Sequence, residues 1–286
     1  MDSGVNMLCF TASYTVALAA EALGLWVRPV WRRGLALFAT LAGLTAHSWY
    51  LAKRVQAAPS APLSSHHDWY LTAAWILSLI YLACLCYRSR AAAGLFLLPL
   101  TLGLISASYF APTVALRGSA SSRFWSQVHG YLLSFGTVAV LLGLATGVMY
   151  LLQSNRLKRK MPPGPDSLRL PSLEWLEQAN SRALGVAAAC VALGFLTGVI
   201  AQLVKGGQAI PWTDPVVLSL AAMLGWLIIA EGFRLVYPAA RHGRKVAYLT
   251  LAAFVFLSVA LASFASRDNL HRMDDSHAAS STGDAT

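Results

Sequence analysis

Apolar residues fall in eight long blocks, at roughly 7–26, 34–52, 69–87, 91–111, 129–152, 183–204, 215–236 and 246–266. A helix needs about 20 mostly apolar residues to cross a hydrocarbon core about 30 Å thick at about 1.5 Å per residue. Each block meets that length. The blocks are continuous and rich in Leu and Ala, whereas a membrane barrel shows short alternating segments. The pattern therefore predicts an all-α, polytopic transmembrane helix bundle of about eight spans. Three connections are longer than a turn: 53–68, with Pro59, Pro62, His66 and His67; 112–128, rich in serine; and 153–182, which opens on a basic run and continues through Pro162, Pro163, Gly164 and Pro165. In the last of these, Ser172 ahead of Leu173, Glu174, Leu176 and Glu177 reads as the start of a short amphipathic helix at the membrane surface. Residues 1–273 read as a single membrane domain, and the small polar residues 274–286 as a disordered tail. The 153–182 loop divides five spans from three.

Composition agrees with the pattern and adds an orientation. Of 286 residues, 57% are hydrophobic and 12% charged, about half the charge of an ordinary soluble domain. This excludes a water-soluble globule and a disordered chain. Of 22 Lys and Arg, fifteen lie in alternate connections: Arg28, Arg32, Arg33, Arg88, Arg90, Arg156, Lys158, Arg159, Lys160, Arg169, Arg182, Arg234, Arg241, Arg244 and Lys245. The opposite connections hold seven: Lys53, Arg54, Arg117, Arg123, Lys205, Arg267 and Arg272. The positive-inside rule puts the fifteen in the cytoplasm and both termini outside. Topology thus accounts for the net charge of +10, and no nucleic-acid partner is expected. Residues 1–6 lack the basic n-region of a signal peptide, so the first span is expected to act as its own insertion signal. Cys9, Cys84, Cys86 and Cys190 fall within spans without a C-x-x-C spacing and read as packing filler.

The candidate chemistry lies in the histidines. His47, His66, His67, His129 and His271 fall toward the outer face, with Trp49, Tyr50, Trp69, Tyr70, Phe124, Trp125, Tyr131 and Trp212. Interfacial aromatics and a lone solvated histidine are ordinary features of a membrane protein. His47 differs, because an ionisable group below the interface points to function. Zinc needs three or four clustered ligands, and no such spacing occurs. Proton relays use chains of intramembrane acids and histidines. Haem needs one or two axial ligands and an apolar, aromatic slot, which suits this set best, with Lys or Arg pairing the propionates. A transporter reading rests on Pro99, with Gly94 and Gly103 nearby, and lacks the matching break that transporter repeats show.

Several segments, in order, resemble the integral-membrane cytochrome c assembly family, in particular its smaller CcsA-like and HemX-like members. They are residues 44–54 around His47, the segment from Pro62 into the following span, residues 128–136 beginning Val128-His129, residues 149–160 ending in the basic run, residues 170–176, Trp212-Thr213-Asp214-Pro215, and Leu270-His271. The resemblance covers nearly the whole chain. It implies a protein of c-type cytochrome biogenesis in a bacterial inner (plasma) membrane. Non-covalent b-type haem would be bound at the external face, with His129 and His271 as axial ligands of the iron. His47 would lie on the entry route, and Trp212 and Asp214 would shape one wall. The implied partners are an apocytochrome c and a membrane protein with a large external domain. At most, the chain would be the haem-binding subunit of a haem lyase complex, because the chemistry belongs to the haem and the acceptor thiols.

The chain departs from the family pattern in two places. Its tryptophan-rich segment is reduced to Pro211-Trp212-Thr213-Asp214-Pro215-Val216, without the Lys and Glu that follow in the family. The late intramembrane histidine is replaced by the stretch Ala230-Glu231-Gly232-Phe233, in which Glu231 is expected to pair with Arg234. The missing Lys and Glu point toward the alternative role that the resemblance implies, HemX-like regulation of tetrapyrrole synthesis through the level of glutamyl-tRNA reductase.

Overall fold

The structure, a computed structural model, describes residues 6–25, 31–59, 62–87, 92–113, 119–159, 170–205, 212–236 and 244–262. The described residues are helical, with no strand. In chain order the helices are α1 (Met7–Leu23), α2 (Arg32–Ala57), α3 (His66–Tyr87), α4 (Gly94–Ser108), α5 (Ala120–Lys158), α6 (Leu173–Val204), α7 (Pro215–Val236) and α8 (Arg244–Ala262). Each coincides with one of the eight apolar blocks.

Six of them, α2, α3, α5, α6, α7 and α8, are long and apolar enough to cross a membrane, and the chain is a membrane-integral helical protein. The other two are shorter than their apolar blocks. α1 has 17 residues and α4 has 15, about 26 and 23 Å at 1.5 Å per residue. α4 stops at Ser108, followed by a turn through Tyr109 and Phe110. At its start, a side chain on Gly94 would meet Glu21 and Tyr81.

Several helix starts follow from single side chains. Ser65 and Asp68 form a reciprocal capping box at α3: Asp68 N donates to Ser65 Oγ at 3.1 Å, and Ser65 N donates to Asp68 Oδ2 at 3.3 Å. Ser119 accepts from Ser122 N at the head of α5, and Ser172 accepts from Trp175 N at the head of α6. Asp214 Oδ1 accepts from Val216 N at 2.9 Å, with Pro215 as the first residue of α7. The helix expected at Ser172 is present, but it is not a separate surface helix. It runs on as α6 for 32 residues, because neither Pro nor Gly interrupts 173–184. α5 likewise extends beyond 129–152 at both ends, to 39 residues.

The helices form two groups of four. In the first, α1 packs on α2, α2 on α3, α3 on α4 and α4 back on α1, which closes a four-helix bundle. In the second, α5 and α6 make the most extensive helix pair of the molecule, and α6 packs on α7. α8 is tied in by Trp226 Nε1 donating to Leu249 O at 3.2 Å and by Trp226 stacking on Phe256. Small residues bring these helices close: a Cβ on Gly147 of α5 would lie 2.9 Å from Thr250 Oγ1 of α8. α3 packs on α5, and one apolar core runs through both groups. The division therefore falls before α5, four helices from four, and not at the 153–182 loop. α5 belongs with α6 because a long antiparallel partner follows it directly.

Candidate functional site

α3, α5 and α7 begin, and α6 and α8 end, at one end of the bundle. The opposite end carries Arg32, Arg33, Arg234 and Arg244, which tie helix ends together. Arg32 pairs with Glu21 at 3.1 Å, Arg33 donates to Leu85 O at 3.2 Å, and Arg244 Nε donates to Ser154 Oγ at 3.0 Å. The expected pairing of Glu231 with Arg234 is present at 3.1 Å, and Arg234 also donates to Ser181 O at 2.6 Å.

At the first-named end, a cavity of about 380 Å³ opens among α3, α5, α6, α7 and α8, within the usual range for small-molecule sites. Its deeper walls are apolar, with Leu133, Phe195, Leu220, Met223 and Leu257. Polar lining groups are His66, Lys205 and Asp214 at helix ends and, further along α5, His129, Ser134 and Thr137. Apolar walls with a few polar groups suit an amphipathic ligand.

His129 is held in a defined state. Its Nδ1 lies 2.6 Å from Gly194 O on α6. A carbonyl oxygen can only accept, so Nδ1 carries the proton and Nε2 is left with its lone pair, the arrangement that fixes tautomer and ring orientation in metal-binding histidines. Nε2 has no hydrogen-bond partner among the described residues. The bond depends on two glycines one turn apart on α6. Gly194 lets Leu133 of α5 approach, since a Cβ there would lie 2.8 Å from it, and a Cβ on Gly198 would lie 2.8 Å from His129 Nδ1. Thr197 Oγ1 also donates to Gly194 O, at 2.9 Å.

Trp69 forms the facing wall. Its ring lies directly over Gly130, where any Cβ would collide with the indole, and His66 meets it edge-on at 4.8 Å. The indole Nε1 is buried without a partner among the described residues. Leaving a buried donor unpaired costs about 1–3 kcal/mol, and this one is packed against α5 at Gly130.

The residues singled out from the sequence fare differently. His129 and Asp214 both line the cavity, Asp214 while capping α7. Trp212 is 54% exposed and is not among the lining residues. His271 lies outside the described residues. His47 sits in the first group of four, fully buried and away from the cavity. Phe10 stacks on it at 4.3 Å with the rings nearly parallel, and the Tyr14 ring meets it edge-on. That packing leaves no slot for a macrocycle at His47.

Among the described residues, no three His, Cys, Asp or Glu side chains converge to hold a metal ion. Ligation of a metal centre in the cavity would therefore rest on one or two protein groups, as haem allows. The residues present fit that group: His129 offers a free Nε2, the walls are apolar and aromatic, and Lys205 stands at the mouth for a carboxylate. His66 and Trp69 are the site residues that the sequence did not single out. They were visible only as two members of the histidine and aromatic sets, and nothing in the sequence separated Trp69 from the other seven aromatics. Compared with known protein families, curated proteins and solved structures, the chain matches none.

Proposed function

We propose that the protein is a haem-handling membrane protein of c-type cytochrome biogenesis. It would hold haem in the α3–α5–α6–α7–α8 cavity and present it to a partner. In this reading all eight helices insert, both termini and the cavity mouth face the exterior of a bacterial inner membrane, and fifteen basic residues mark the cytoplasmic face. The observation that carries the reading is His129, with its Nδ1 proton fixed on Gly194 O and its Nε2 free beside an apolar, aromatic-walled cavity.

Haem, when bound, would supply an iron that takes a nitrogen ligand and a macrocycle bearing the vinyl groups that an acceptor's thiols attack. The chain's own residues do the rest. His129 would donate its Nε2 lone pair, Gly194 would hold the imidazole in that tautomer, and Lys205 would bind anionic oxygens at the rim. Leu133, Phe195 and Leu220 would exclude water from the ring. His271 is proposed as the second ligand, Asp214 and Trp212 as the rim beside the α7 start, and His47 as a group outside the binding cavity. An apocytochrome c and a membrane partner with a large external domain would complete the machine.

Detergent-solubilised protein supplemented with haem is expected to show a Soret band that His129→Ala abolishes or shifts. No band in the wild type, or an unchanged band in the variant, contradicts the reading.

One observation favours the second role, regulation of tetrapyrrole synthesis through glutamyl-tRNA reductase. α5 continues past its apolar block to Lys158 and α6 begins at Leu173, so two helix ends bearing Arg156, Lys158, Glu174 and Glu177 project at the basic face. In a deletion strain, changed porphyrin output with normal c-type cytochromes supports regulation, and missing cytochromes support assembly.

A further inference from the structure

The first four-helix bundle has a polar interior that the outer cavity does not use. On α2, Arg32, Thr40, His47, Tyr50 and Arg54 share one face at helical spacing. Arg32 to Arg54 spans about 33 Å of helix at 1.5 Å per residue, which is about the thickness of the hydrocarbon core.

Toward the basic end, Glu21 is 5% exposed and pairs with Arg32. Tyr81 OH donates to Glu21 Oε1 at 3.0 Å, and Thr40 is fully buried on the facing side of α2, its hydroxyl on Ala36 O at 2.6 Å. One turn along α3 from Tyr81, Ser78 is buried with its hydroxyl donating to Ala74 O at 2.9 Å, and the Tyr14 hydroxyl lies 3.3 Å from His47 Nδ1. One turn along α2 from His47, Tyr50 OH donates to His67 Nε2 at 3.4 Å, and His67 Nδ1 donates to Ser108 O at 2.8 Å. Beside His67, Asp68 closes the file at the other end, held by Arg54 Nε at 2.8 Å and by Ser65 Oγ at 2.6 Å.

Helix packing alone explains paired polar groups, which act as interhelical glue. It does not explain His47. That side chain is 0% exposed, yet its Nε2 has no partner. Whichever tautomer it holds, the Tyr14 bond satisfies only Nδ1. An orphaned polar atom in a membrane core costs about 1–3 kcal/mol, which a Phe or Leu at this position would avoid. An imidazole can accept a proton on one nitrogen and release another from the second, so a vacant Nε2 with an engaged Nδ1 is the arrangement a relay station requires.

We propose that the α1–α4 bundle is a transmembrane proton relay with His47 as its mid-membrane station. A proton arriving from the Tyr50–His67 side binds Nε2 and makes the imidazolium. The Nδ1 proton then passes to the Tyr14 oxygen as the Tyr14 proton moves on to Ser78 and a Ser78 proton moves on toward the Glu21 carboxylate in one concerted shift; His47 is left neutral with its proton on Nε2, and rotation of the ring restores the starting state. The step from Ser78 to the Tyr81–Thr40 pair, like that from Tyr50 to His47, covers about one helical turn, ~5 Å. A transient water or a side-chain rotation closes each gap. Glu21, opposite Arg32, is the terminal acceptor. The relay does not depend on what the outer cavity binds.

The test uses the full chain reconstituted into phosphatidylcholine vesicles with a trapped pH dye, with a potassium diffusion potential set by valinomycin. Wild-type vesicles are expected to acidify at least about tenfold faster than protein-free vesicles. His47→Phe is expected to fall to the protein-free rate while unfolding at the same or a higher temperature, because the orphaned nitrogen is gone. If His47→Phe does not fold, Tyr14→Phe decides, since it keeps the ring that packs against Gly43 and removes only the hydroxyl. It is expected to cut the flux about tenfold, the loss that goes with removing one obligatory hydrogen-bonding group. Wild-type flux no faster than protein-free vesicles, or wild-type flux in the deciding variant, overturns the proposal and leaves the file as interhelical glue.

Discussion

A single methyl group on α6 tests the construction of the cavity. In Gly198→Ala the new Cβ would lie 2.8 Å from His129 Nδ1 and 2.9 Å from its Cε1. An ordinary contact needs about 0.6 Å more, so the imidazole has to retreat from α6. Its bond to Gly194 O is only 2.6 Å long, and a retreat of that size carries it to or beyond the 3.2 Å limit of a sound N–H···O bond. Losing the partner that fixes a ligating histidine's tautomer costs about 10–100-fold in ligand affinity, or ~1.4–2.8 kcal/mol. The assay is a haem titration of the detergent-solubilised protein, followed at the Soret band, with thermal unfolding of the ligand-free protein alongside. Gly225→Ala on α7 is the matched control, since a Cβ there meets nothing within 4 Å. Its affinity is expected to equal that of the wild type, and its stability to rise by up to ~1 kcal/mol from helix propensity. Gly198→Ala affinity within twofold of the control would refute the claim that α6 holds His129 in its ligating state.

Other substitutions test the frame. Asp68→Ala removes the α3 capping box and the partner of Arg54, whose side chain is 28% exposed. Water can reach the arginine, so the cost is expected at ~2–3 kcal/mol rather than the ~3–5 of a fully buried pair, read as a lowered unfolding temperature in detergent. Gly147→Ala presses on Thr250 and Ala247 of α8 and is expected to destabilise by ~1–3 kcal/mol in the same assay. Asp214→Ala removes the α7 cap and is expected to cost ~1 kcal/mol, whereas Asp214→Asn retains most of the stability. Trp69→Phe keeps the wall but deletes the unpaired indole N–H. Ligand-free stability is expected to be unchanged or higher, because the orphaned donor is gone, and a loss of more than ~1 kcal/mol would show that Nε1 is paired in the folded protein.

The sequence predicted all eight helices because hydrophobic length alone predicts them. Helix ends depended on single residues: Ser172 was legible as a cap, but nothing in 173–184 revealed that the helix would run without a break into the next span. The polar start of α5, from Ser119 to Val128, falls outside any apolar window, so its extra turns were read as loop. Hydropathy also carries no information on which helices meet. It set His47 below the interface but could not show that the fold places His47 and His129 in different groups of four. The tautomer of His129 depends on a carbonyl 65 residues away in sequence, and the weight of Trp69 on an indole nitrogen that the fold leaves unpaired. Both are products of packing between α3, α5 and α6, and a linear reading of residue types does not contain them.

The most direct test of the central claim is the visible spectrum of the purified full-length protein after haem supplementation, compared between wild type and His129→Ala. The account predicts a Soret band in the wild type at stoichiometric haem, and its loss or displacement in the variant with the protein still folded. A wild type without the band, or a variant whose band and occupancy match the wild type, would contradict it.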